Sequence, residues 1–119
     1  MASTIVQYVV VRGDLISNLR WPTGAVIAQA CHATTAALHL FRDNADTQRY
    51  TDDLDRMHKV VLTAKGEDDL LALAEALQRD AVLHKLWTEQ PENIPTCLAT
   101  KPYEKATVEK YFKKFKLFK

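Results

Sequence analysis

Trp21–Leu40, WPTGAVIAQACHATTAALHL, runs twenty residues with no Asp, Glu, Lys or Arg. Pro22 or Thr23 followed by Gly24 reads as a helix start, with proline tolerated in the first turn and Thr23 available to cap free backbone N–H groups. From Ala25 onward, good helix formers dominate. At about 100° per residue, Ala25, Gln29, His32 and Ala36 share one narrow sector, with Val26, Ala30, Ala33 and Ala37 beside it. Ile27, Cys31, Thr34 and Leu38 lie close to the opposite side. A helix apolar nearly all round is expected to be buried at the centre of a domain. Gln29 and His32, polar on such a helix, then need partners or a task.

Working outward, Thr4–Arg12 (TIVQYVVVR) is β-branched and aromatic and stops at Gly13-Asp14, which predicts a buried first strand. Asp14 to Trp21 is a loop, and the central helix is expected to reach Phe41 or Arg42. Asp43–Met57 is polar and reads as a surface turn with a short helix. His58–Ala64 (HKVVLTA) is a second strand. Gly66-Glu67-Asp68-Asp69 opens a helix whose first-turn acids suit the helix dipole, with Leu70, Leu71, Leu73, Ala74 and Leu77 as its apolar face. Val82–Thr88 and Ile94–Thr100 are strands joined by the turn Glu89-Gln90-Pro91-Glu92-Asn93. Pro102 breaks the pattern. Thr107–Lys116 is predicted as a last helix, with Val108, Tyr111, Phe112 and Phe115 opposite its lysines.

The order β-α-(α)-β-α-β-β-α specifies a single-domain, three-layer α/β fold with a four-stranded mixed sheet. At 119 residues the chain holds one core and one domain, residues 1–119. Net charge is +1 overall, but residues 101–119 carry seven lysines against Glu104 and Glu109, a balance of +5 that leaves −4 on the rest. A basic tail on a mildly acidic body points to an anionic partner. Cys31 and Cys97 fit packed, reduced thiols, and His39, His58 and His84 lack metal spacing, so no metal site is expected. No apolar run spans a membrane and no signal peptide is visible, so a cytoplasmic protein is expected.

Three motifs carry a resemblance: Val11-Arg12-Gly13-Asp14-Leu15, Gly24-Ala25-Val26-Ile27-Ala28-Gln29-Ala30-Cys31-His32-Ala33, and Lys59-Val60-Val61-Leu62 ahead of the acidic helix start. Together they resemble the type II peptidyl-tRNA hydrolase family, the archaeal and eukaryotic kind, and the final Lys116-Leu117-Phe118 is similar to its usual ending. Trp87-Thr88-Glu89-Gln90-Pro91-Glu92-Asn93-Ile94-Pro95-Thr96 most resembles a divergent branch, the peptidyl-tRNA hydrolase domain-containing proteins. The resemblance implies cleavage of the ester between a peptide and the 3′-terminal ribose of tRNA, without metal or cofactor. Such a reaction needs an activated water, charge stabilisation on the carbonyl oxygen and cations for RNA phosphates.

The pattern is not complete. Ala25 stands where the family has lysine after the helix-start glycine, and the family's Asp-Ala-Gly-x-Thr loop corresponds to Glu89-Gln90-Pro91-Glu92-Asn93. The resemblance therefore implies Gln29, Lys59, Glu89 and His32 as catalytic candidates, and Asp14 and Asn93 as substrate-binding ones; Arg20, in the longer loop ahead of the helix, joins the substrate-binding candidates by adjacency alone. Gln29 would orient water or the carbonyl; His32 is a general base or a satisfied core histidine; Arg20 would replace the missing cation. Trp21 and Trp87 either stack on the terminal adenine or pack the ends of the sheet, with packing preferred for Trp87. The partner is tRNA or another RNA, and the protein a monomer or homodimer. Loss of the lysine favours an alternative of another class, a non-catalytic RNA- or nucleotide-binding module. A third reading is a protein-binding adaptor using Asp43–Met57.

Overall fold

A computed structural model describes residues 4–119. The β-branched run forms β1 (Ile5–Arg12), seven of whose eight residues are buried. It is followed by α1 (Asp14–Ser17), α2 (Thr23–Leu40), α3 (Ala45–Asp52) and a 3₁₀ turn at Leu54–Arg56. Next come β2 (Lys59–Ala64), α4 (Glu67–Arg79), and the hairpin of β3 (His84–Glu89) and β4 (Ile94–Thr100). The chain ends with β5 (Tyr103–Glu104), α5 (Lys105–Val108), a 3₁₀ turn at Glu109–Tyr111 and β6 (Lys116–Leu117).

The sheet has six strands where the pattern predicted four, in the order β3-β4-β1-β2-β6, with β5 also paired to β1. Two-residue strands carry no periodic signal, which is why both escaped. β5 takes over along β1 where β4 leaves off beyond Lys101-Pro102, pairing Ile5 with Glu104 and Val6 with Tyr103. β1 and β2 are parallel, Gln7 opposite Lys59 through Arg12 opposite Ala64, while β4 runs antiparallel to β1.

Alternation along β1 sends Val6, Tyr8 and Val10 to one face and Val9 and Val11 to the other. The first set packs with Leu62, Leu70, Leu73, Leu77 and Phe112, and the second with Leu15, Val26, Ala33 and Ala37. α4 therefore covers one face and α2 the other, giving three layers. Each fully buried leucine of α4 stabilises the fold by about 1.5–3 kcal/mol.

Several local expectations need correction. The predicted loop after β1 contains the turn α1. α2 buries one side only: Ile27 is 58% exposed and Cys31 is exposed, because a single sheet face is all it has to cover. Its cap position is Pro22, and no side chain caps it, so Thr23 is the first helical residue rather than the cap. Cys97 is buried as expected, and burial pushes its thiol up to about 12. The third strand begins and ends later than Val82–Thr88. The predicted Thr107–Lys116 helix is one turn plus a 3₁₀ turn. Phe112 stacks on Tyr8 at 4.1 Å between ring centroids, and the chain then leaves the helical path to pair Lys116 with Thr63. Among the described residues no helix is long and apolar enough to cross a membrane.

Candidate active site

Gln29 is 2% exposed on the inner side of α2, so its amide must be fully bonded. Nε2 donates to Ala25 O and to Glu89 Oε2, both at 3.2 Å, while Oε1 accepts from Thr96 Oγ1 at 2.8 Å. Trp87 Nε1 donates to the other oxygen of Glu89 at 3.2 Å. Each carboxylate oxygen thus holds one side-chain N–H. These bonds, Trp87's first and Gln29's second, hold Glu89 below the usual glutamate pKa, with the charge of His32 adding to the effect.

Local geometry explains the cluster. Trp87 and Glu89 are two apart on β3 and point to the same face. Trp87 pairs with Cys97 but Thr88 pairs with Pro95, which leaves Thr96 as the extra residue of a β-bulge. The bulge turns Thr96 and Cys97 towards the same helix, α2. His32, one turn beyond Gln29, lies over Trp87 with ring centroids 4.8 Å apart. Among the described residues, its ring makes no hydrogen bond. His32 therefore covers the indole. Trp21 and Trp87 both pack against the core beneath α2, so neither is a free-standing stacking platform.

On the neighbouring strand, Arg12 Nε and Nη2 bond the two oxygens of Asp14 at 3.0 and 2.9 Å, and Nη1 donates to Pro95 O at 3.0 Å. That pairing raises the Arg12 pKa. Asp14 therefore fixes a cation, and Arg12 in turn holds the backbone next to Thr96. Gly13 makes the arrangement possible, because a Cβ there would sit 2.6 Å from Thr63 Oγ1.

Lys59 is not part of this cluster. It begins β2, and because β2 parallels β1 while α2 runs back along the sheet, the start of β2 meets the far half of α2 and not its N-terminus. Its ammonium hydrogen-bonds Gln7 Oε1, and Gln7 Nε2 reaches the carbonyls of Thr34 and Thr100. Thr100 is four residues from Thr96, roughly 13 Å along the strand. Tyr50 OH also lies 3.4 Å from the ammonium, and burial lowers the Lys59 pKa.

Asn93 belongs to the hairpin turn. Its φ of 58° is one that asparagine tolerates, and its side chain accepts from Gln90 at 3.2 Å. Arg20 is exposed just ahead of α2 and has no ion pair or side-chain hydrogen bond among the described residues. The Ala25 side chain is a methyl on the first turn of α2, so no cation stands there. The N–H groups of Thr23 and Gly24 are too near the start of the helix to bond an intrahelical carbonyl, and they remain available.

A carboxylate clamped by two side-chain N–H donors thus lies at the carboxyl ends of the parallel strands, beside an open helix N-terminus, the end at which open α/β sheets bind their ligands. A family model described as peptidyl-tRNA hydrolase PTH2 matches residues 5–118. The chain belongs to that family. It is 57% identical over 116 residues to a Mus musculus protein named "Putative peptidyl-tRNA hydrolase PTRHD1", covering 97% of this chain and 83% of the relative. The Homo sapiens protein of the same name is 55% identical over the same spans.

Proposed function

We propose that the protein hydrolyses the ester between a peptide and the 3′-terminal ribose of tRNA, with Glu89 as the base. The observation that carries this reading is the Glu89 carboxylate, oriented by Gln29 and Trp87. Glu89 accepts a proton from water as the water oxygen attacks the ester carbonyl carbon. The bond to the ribose oxygen then breaks, and Glu89 returns the proton to that oxygen. Negative charge on the carbonyl oxygen falls to the open N–H groups of Thr23 and Gly24, with Arg20 adding positive potential.

Gln29 acts as a positioning residue, since both its N–H bonds are already taken. A carboxylate held below its ordinary pKa is a weak base, and Ala25 supplies no cation, so turnover is expected to be slow. Ala25 also supports a second reading, an RNA-binding module of the same fold without the reaction. The activity is read as cytoplasmic and tRNA as the substrate. Incubation of the purified protein with N-blocked aminoacyl-tRNA tests this. The reading expects free tRNA and the N-blocked amino acid in equal amounts, over many turnovers. tRNA binding with no product would support the second reading instead.

A further inference from the structure

A cluster of unpaired cations lies on the same end of the sheet as Glu89, several strands away. Lys65 follows β2, Lys116 begins β6, and Lys114 precedes it; all three are exposed and line a groove of about 280 Å³ with Thr63, Phe115 and Asp69. None of the three has an ion pair or a side-chain hydrogen bond among the described residues. The segment that carries them is held in place. Lys116 pairs with Thr63 across the β2 edge, Phe118 N donates to Val61 O at 3.0 Å, and Phe115 packs against the core. A lysine on a fixed backbone loses less freedom on binding than one on a free tail.

Resting on the tRNA reading above, we propose that this groove binds the phosphodiester backbone of the substrate RNA, beyond the nucleotide that carries the ester. Four strand spacings separate β3, which bears Glu89, from β6 in the sheet order. That is roughly 19 Å, the length of about five or six stacked nucleotides. A second recess of about 230 Å³ shares Thr63 with the groove and continues past Lys119 to Ser17 on α1, in the direction of Arg20 and the α2 N-terminus. Asp69, in the first turn of α4, forms one wall of the groove, with Glu67 and Asp68 beyond it; this acidic side repels phosphate and confines the RNA to the lysine side. With a net charge of only +1, the molecule has little general attraction for RNA, so affinity has to come from such a local patch.

The test compares the full-length wild-type chain with the triple variant Lys65→Ala, Lys114→Ala, Lys116→Ala, measuring the affinity for deacylated tRNA across a salt series. The groove predicts at least a tenfold loss of affinity at low salt and a log–log salt slope shallower by roughly 2 to 3, since each phosphate contact contributes about 0.7–0.9. It also predicts a higher KM with unchanged kcat on N-blocked aminoacyl-tRNA. Hydrolysis of N-blocked aminoacyl-adenosine, which has no phosphate to reach the groove, should be the same in both proteins. If wild type binds tRNA and the variant binds equally well with the same slope, the groove is wrong and the tRNA reading stands. If the wild type shows no tRNA affinity, both fall.

Discussion

The Thr96 hydroxyl donates to Gln29 Oε1 at 2.8 Å, and this bond decides which way round the buried amide sits. With the oxygen engaged there, the amide NH₂ must face Ala25 O and Glu89. The orientation of the carboxylate thus depends on a residue of the neighbouring strand, the extra residue of a β-bulge.

Replacing Thr96 by valine keeps the shape and removes the donor, leaving Gln29 Oε1 buried without a partner. The expected cost is about 1–3 kcal/mol. Thermal unfolding should show a midpoint lower by several degrees, and hydrolysis should fall as the amide loses its fixed orientation. An unchanged midpoint would mean that Gln29 finds another partner.

The acid limb of the pH–rate profile reports Glu89. Because Trp87 and Gln29 depress its pKa, the base form persists below the usual glutamate range and is lost only as pH falls through the depressed value. Trp87→Phe removes the leading cause, so the folded pKa rises and the limb moves to higher pH. The rates of the two proteins should converge again near neutrality. A limb that stays in place would assign it to another group.

Ala25→Lys restores a cation on the first turn of α2. If Glu89, Gln29 and Thr96 are otherwise competent, kcat should rise, by up to roughly 10²-fold, the scale of one added group that stabilises transition-state charge. An unchanged rate, in a variant that still binds tRNA, would place the limitation in the Glu89–Asn93 loop.

Much of this arrangement was legible before the structure. The β-branched run TIVQYVVVR, the leucine face of α4 and the Glu89–Asn93 turn pointed to the four long strands and the hairpin, and the three-layer order followed from them. Gln29 stood out because an amide on an apolar helix needs partners, and it has three. Thr96 did not stand out: a bulge breaks the period-2 rule on which any assignment of its face would rest. Trp87 read as packing, which it does, but its N–H also holds Glu89, and no spacing encodes that second role. Lys59 lies apart from Gln29 and Glu89 for a topological reason, since the motif gives its strand but not which end of the sheet that strand begins at. β5 and β6 are set by what lies opposite them on β1 and β2, a tertiary property that two residues cannot announce.

The central claim is that Glu89 performs the chemistry, and single-turnover hydrolysis of N-blocked aminoacyl-tRNA by wild type and Glu89→Gln tests it most directly, with tRNA affinity measured on the same preparations. The glutamine keeps the size and can still accept the N–H bonds of Trp87 and Gln29, but it cannot take a proton from water. The account predicts a rate lower by about 10² or more, with tRNA affinity retained. A Glu89→Gln variant that hydrolyses the ester at the wild-type rate would contradict it.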